Sequence, residues 1–147
     1  MNDSEKVKKT VARLVKRHKT TNPFQIADAL GVLYQIGACK NEGCYMFLKN
    51  HRYIFLSDRL HGAELNLVMA HELGHALLDR KENCYFIKNK TLLLTSRFER
   101  RANLFAAFLL ISDGFLNEYS WCTQEQLSNI TGYPKELIAL RLEKWDT

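Results

Sequence analysis

The residues best suited to chemistry form the run His71-Glu72-Leu73-Gly74-His75. His71 and His75 are four positions apart, so on a helix both imidazoles leave the same face within reach of one ion. Neutral imidazole nitrogens are preferred zinc ligands. Glu72 lies beside them, where its carboxylate can take a proton from water instead of binding the metal. The run therefore predicts a zinc site with Glu72 as general base, although another divalent metal such as manganese or iron also suits such donors.

The same three residues could instead be two partly exposed histidines beside a surface glutamate. Their setting argues against this interpretation, because they lie within a strongly apolar helical segment over 63–78. Unpaired polar groups are costly to bury there, and a shared metal ion gives all three a common reason.

A catalytic zinc site needs a third protein ligand and an open position. Lys81 rules out the longer HExxHxxGxxH pattern, and the three other histidines all lie upstream. Glu99, 24 residues after His75, is the best downstream carboxylate because it opens the next long helix. Glu82, in a loop seven residues after His75, is the competing ligand.

The helix that begins near Glu99 carries small and polar residues on one face. Ala102 and Ala106 share that face with Glu99 and would let the helix approach the HExxH helix closely. Asn103 lies one turn after Glu99, where it could hydrogen-bond to a ligand histidine or to Glu99. A solvent-facing or capping role for Asn103 stays equally open, as does a surface ion pair for Glu99.

Apolar residues recur at helical spacing in some segments and form short β-prone runs in others. These two patterns predict the helices and strands that position the candidate site residues. Short turns between the strand segments favour an antiparallel meander. We therefore expect an α+β fold, in which a small antiparallel three-stranded sheet packs on a zincin-like HExxH helix and further helices. The predicted helices cover 4–18, 23–30, 63–78, 96–111, 123–130 and 135–145, and the predicted strands cover 32–36, 44–48 and 53–56.

The length of the chain predicts one domain, 1–147, and its charge is unevenly distributed along the sequence. The domain divides into a basic amphipathic N-terminal helix at 1–20, a core at 21–112 and a C-terminal helical hairpin at 113–147. Residues 1–20 hold seven basic and two acidic side chains, which accounts for the whole net charge of +5. This excess is either the solvated face of a helix or a surface that attracts an acidic or nucleic-acid partner.

No apolar run reaches the roughly 18 residues needed to span a bilayer, so we expect no membrane partner. The charged N-terminus is not followed by an apolar stretch, so no signal peptide is expected. The four cysteines form no CxxC pair. Free thiols packed as small hydrophobic groups in a cytoplasmic protein are the expectation.

Two segments together resemble the ImmA/IrrE family of metallopeptidases. They are 70–78, AHELGHALL, and 98–110, FERRANLFAAFLL. The resemblance covers roughly 20–112. This sequence departs from the family at Arg101, where an acidic residue is usual, and at Asp79, where histidine is frequent.

The resemblance implies a gluzincin-like site with His71, His75 and Glu99 on zinc and Glu72 as general base. It also implies a cytoplasmic endopeptidase of a prophage or mobile element, which relieves repression by cleaving a helix-turn-helix repressor encoded nearby. A donor to the oxyanion is then expected, and Tyr85, Arg97 and Arg100 are candidates. The alternative is a non-enzymatic anti-repressor that binds and sequesters the repressor.

The last two predicted helices have helix-turn-helix spacing, with Gly132 in the turn. The helix that would read DNA carries nearly balanced charge, which predicts weak attraction to phosphates and argues against direct nucleic-acid binding. Its charged residues are Lys135, Arg141 and Lys144 against Glu136 and Glu143.

Overall fold

The computed structural model describes residues 1–82, 84–86 and 96–145, and for 84–86 it describes the backbone. No helix within these ranges combines the length and the apolar character needed to cross a membrane. In chain order the elements are α1 (Asp3–His18), α2 (Pro23–Leu30), β1 (Leu33–Gly37), β2 (Gly43–Leu48), β3 (His51–Ser57), α3 (Gly62–Leu78), β4 (Cys84–Phe86), α4 (Arg97–Leu110), α5 (Asp113–Glu118), α6 (Gln124–Thr131) and α7 (Lys135–Glu143).

The predicted α+β class is confirmed, but the sheet differs from the expected meander. Its strand order is β1-β3-β2-β4, so β3 lies between β1 and β2. β1 runs parallel to β3, and β2 runs antiparallel to both β3 and β4. The expectation of a purely antiparallel three-stranded sheet is therefore wrong.

The reason is that turn signals fix strand direction but not the order of neighbours. Lys49 and Asn50 both have positive φ, 50° and 63°, which makes a tight hairpin of β2 and β3. β1 then pairs with the remaining edge of β3, where its direction makes the pairing parallel. The short strand β4 and the six-residue helix α5 were missed, because neither is long enough to show a periodicity.

The helix α3 lies between the sheet and α4 and forms the centre of the core. All ten of its residues from Leu67 to Ala76 are buried. The predicted apolar stripe of α1 is present, since Val7 and Val11 are buried and α1 packs on α4.

The C-terminal helices α6 and α7 pack on each other, and α7 also packs on α4. Arg141 of α7 is 2% exposed. Its Nε donates to the Ile111 carbonyl oxygen at 2.7 Å, and its Nη2 pairs with Asp113. Its guanidinium also lies over the Phe108 ring. Arg141 is therefore an interior residue, which removes it from any phosphate-binding face of α7.

Candidate active site

Three polar side chains of the HExxH segment are buried in the centre of the molecule. His71, Glu72 and His75 are each 0% exposed. They lie on α3, which is covered by the sheet on one side and by α4 on the other. A buried polar group without a partner costs free energy, so this placement requires compensating interactions.

The helices α3 and α4 approach each other closely because small residues meet at their contact. A Cβ added at Gly74 would lie 3.1 Å from the Ala102 Cα and 3.1 Å from the Phe105 Cβ. Ala102 and Ala106 are both 0% exposed. The close approach was expected from the two alanines. The role of Gly74 was missed, although a glycine inside a strongly apolar helix is itself a signal of close packing.

The start of α4 places a carboxylate beside the two histidines. The Ser96 side chain accepts a hydrogen bond from the Glu99 backbone N–H and caps the helix, so Glu99 lies in its first turn. The Glu99 carboxylate oxygens lie 2.9 Å from His71 Nε2 and 3.2 Å from His75 Nε2. Glu99 is 8% exposed, so this contact is shielded from water.

The three side chains point their donor atoms at one common space. The two Nε2 atoms are 3.1 Å apart, and the ligand atoms of His71, His75 and Glu99 all lie within 4.8 Å of one another. The competing ligand Glu82 lies exposed in the turn after α3 and does not belong to this group. Two imidazole nitrogens and a carboxylate oxygen are a donor set that suits a divalent transition metal.

The protonation states match that donor set. Burial lowers the pKa of His71 to about 4, which keeps its imidazole neutral. Burial alone would raise the pKa of Glu99, but hydrogen bonds from His71 and His75 outweigh it and lower this pKa to about 2. Neutral imidazole and ionised carboxylate are the forms that bind a metal.

The Glu72 carboxylate provides an independent sign that a cation belongs here. Both of its oxygens are buried and have no hydrogen-bond partner among the described residues, and neither has His75 Nδ1. Burial raises the pKa of Glu72 well above its usual range, and the Glu99 charge adds to this effect. A cation held between the two histidines and Glu99 would offset the cost of burying the Glu72 carboxylate and the repulsion between Glu72 and Glu99. The residues therefore fit a resident metal ion.

Asn103, one turn after Glu99 on α4, is 4% exposed and lies beside the His71 side chain, where it raises the pKa of that histidine against the lowering effect of burial. This contact can hold the His71 ring in one orientation, which is the usual task of a group bonded to a metal-binding histidine.

The three candidate oxyanion donors have different surroundings. Arg97 bonds through Nε to Asp3 of α1 at 3.2 Å and is largely exposed. Arg100 is exposed on α4. Tyr85 lies on β4 opposite Cys44 of β2, and its side chain falls outside the described part of the chain. The assignment of an oxyanion donor therefore stays a prediction.

Comparison with known proteins agrees with this arrangement. Residues 17–143 match the peptidase M78 family, described as the IrrE N-terminal-like domain. The chain is 32% identical over 143 residues to Metallopeptidase ImmA of Bacillus subtilis (strain 168), with 92% of this chain and 77% of that protein covered. It is 34% identical over 139 residues to "Uncharacterized immunity region protein 2" of Bacillus phage phi105, with 92% and 88% covered.

The fold, the His-His-Glu cluster and these matches define a metallopeptidase. The chain belongs to the IrrE N-terminal-like, or ImmA/IrrE, family. This confirms the family that the two sequence segments predicted.

Proposed function

We propose that this protein is a cytoplasmic, zinc-dependent endopeptidase of the gluzincin type. His71, His75 and Glu99 hold the ion, and Glu72 is the general base. The observation that supports this most strongly is the convergence of three ligand atoms beside a buried Glu72 carboxylate that makes no hydrogen bond within the described residues.

When bound, the ion supplies the Lewis acidity that polarises the scissile carbonyl and makes water a nucleophile near neutral pH. Glu72 takes one proton from the attacking water on a carboxylate oxygen and holds it while the new C–O bond forms. It then delivers that proton to the leaving amine nitrogen as the C–N bond breaks. Both Glu72 oxygens are available for this transfer, since neither is engaged by a described residue.

The proposed substrate is a helix-turn-helix repressor encoded near this gene, on a prophage or mobile element. Two facts support it: the chain belongs to the ImmA/IrrE family, and a relative from phage phi105 is named an immunity region protein. The name of that relative suggests a role in phage immunity, and the family resemblance implies a repressor as the target. Cleavage would relieve the repression.

The alternative is an anti-repressor that binds and sequesters the same target without cutting it. In that case the metal would be structural. Structural zinc sites are usually closed by four Cys or His ligands. Among the residues that the structure describes, this cluster offers three donors beside a carboxylate that has no hydrogen-bond partner there.

The test incubates the zinc-loaded protein with each helix-turn-helix protein encoded within a few genes of it, and follows fragments by mass spectrometry. Glu72→Gln should still bind zinc, but its cleavage rate should fall at least 100-fold. Glu64→Gln, the same change earlier on α3, is the matched control and should cleave normally. Cleavage by Glu72→Gln at the wild-type rate would overturn the assigned base. Repressor binding without any fragments would support sequestration.

A further inference from the structure

A groove of about 390 Å³ runs between α1 and the C-terminal half of α4. Its floor is apolar and includes Val11, Phe108 and Leu109, all of which are buried. Phe108 and Leu109 come nine and ten residues after Glu99. At the helical rise per residue, the groove lies about 14 Å along α4 from the cluster of His71, His75 and Glu99. It is therefore separate from the site at which the chemistry is proposed to occur.

One wall of the groove is basic. Lys8, Ala12 and Lys16 line it and follow one another at four-residue spacing, so they form a single row along α1. The two lysines are two helical turns apart, about 12 Å along the axis. They belong to the N-terminal segment that carries the whole net charge of the chain.

The opposite wall does not neutralise these lysines. The acidic residue among the described lining residues is Asp113, and it is already paired with the buried Arg141. Three cationic side chains and one carboxylate therefore line the groove, which gives it a positive potential above an apolar floor. An anionic partner with apolar side chains complements both features.

We propose that this groove is an exosite for an acidic amphipathic segment of the protein substrate. An apolar side chain of that segment enters the floor over Phe108 and Leu109, and carboxylates one or two turns away meet Lys8 and Lys16. A helical segment of about eight residues spans the distance between the two lysines. This inference rests on the proposed function, because it assigns the groove to the same substrate.

The groove spans the start of the matched family region. The family match begins at residue 17, after both lysines, although Phe108 and Leu109 lie within it. Docking at such a distance binds the substrate and the transition state equally, so it lowers KM and leaves kcat unchanged.

Direct binding tests the groove without any knowledge of the substrate. The probe is a fluorescein-labelled helical peptide of about 14 residues with two leucines at i and i+4 flanked by glutamates, measured by anisotropy against zinc-loaded Glu72→Gln protein. Added in that background, Lys8→Glu with Lys16→Glu should weaken binding at least tenfold. Ala12→Trp, which fills the groove, should do the same.

The matched control is Lys9→Glu with Arg17→Glu, which makes the same charge change at exposed positions of α1 that do not line the groove. It should weaken binding less than threefold. Equal losses in the two double variants would overturn the proposal, because they would show a diffuse charge effect. So would an unaffected Ala12→Trp protein, or no binding by the parent protein.

Cleavage kinetics then separate this proposal from the proposed function. With a cleaved repressor, Lys8→Glu with Lys16→Glu should raise KM at least tenfold at unchanged kcat, and should not affect a short peptide that spans the cleavage site. If the wild-type protein cleaves nothing, the proposed function fails. The anisotropy measurement still shows whether the groove binds an acidic amphipathic segment.

Discussion

Arg101 of α4 and Asp79 at the end of α3 form a two-point ion pair. Arg101 Nε donates to Asp79 Oδ2 at 3.1 Å, and Nη2 bonds to Oδ1. Both side chains are largely buried. The sequence departs from the pattern typical of the ImmA/IrrE family at both positions, since an acidic residue is usual at 101 and a histidine is frequent at 79. The pair links the two helices that carry His75 and Glu99.

This pair should act as one unit. Arg101→Asp alone should destabilise the protein by about 3 kcal/mol, because it places two carboxylates together in a shielded position. It should also weaken zinc binding, since it loosens α4 two residues after Glu99. Asp79→Arg with Arg101→Asp should recover most of both losses. Urea unfolding and zinc competition titrations measure them. A double variant no better than the worse single variant would show that the pair does not couple the helices.

The contact between α3 and α4 at Gly74 sets the spacing of the metal ligands. Gly74→Ala brings a Cβ to 3.1 Å from the Ala102 Cα, so the helices must separate. Overpacking typically costs about 1–3 kcal/mol, which outweighs the gain of about 1 kcal/mol in helix propensity. We expect a lower free energy of unfolding and zinc affinity reduced at least tenfold.

The control for that variant is Gly37→Ala on β1, where an added Cβ meets nothing within 4 Å. It should leave zinc affinity unchanged. Wild-type stability and zinc affinity in Gly74→Ala would contradict the claim that this glycine sets the helix separation.

Much of the site could be predicted from local sequence. The four-residue spacing of His71 and His75 fixes their shared helical face, and the alanines after Glu99 indicate a closely packed helix. These patterns predicted which side chains the fold brings together. Gly74 signals close packing within an apolar helix, but its partner helix could not be derived in the same way, because that depends on which face of α3 meets α4.

Contacts between residues that are distant in the sequence could not be predicted either. The parallel pairing of β1 with β3 depends on which edge of the hairpin is left, and turn residues carry no information about this. The pairing of Asp79 with Arg101, and the burial of Arg141 against Phe108, likewise depend on how the helices are arranged. In the sequence these charged residues look like ordinary surface positions.

The thiol of Cys44 offers a pH-dependent check of the sheet. Cys44, which is free, has a pKa raised to about 11 by burial first, and then by the charges of Glu72 and Cys39. A raised pKa means that the reactive thiolate is scarce at neutral pH and increases about tenfold for each pH unit up to 11. Iodoacetamide alkylation of Cys44, followed by mass spectrometry, should therefore keep accelerating from pH 7 to 10. A rate that levels off near pH 8 would contradict this environment.

Glu99 is proposed to complete a metal site with His71 and His75. The most direct measurement is zinc binding by competition titration in Glu99→Gln and in Glu82→Gln, the same change at the other carboxylate considered as third ligand. We predict one zinc per wild-type or Glu82→Gln chain with equal affinity, and an affinity at least 100-fold weaker in Glu99→Gln. Wild-type zinc affinity in Glu99→Gln, or loss of zinc affinity in Glu82→Gln, would show that Glu99 is not the third ligand.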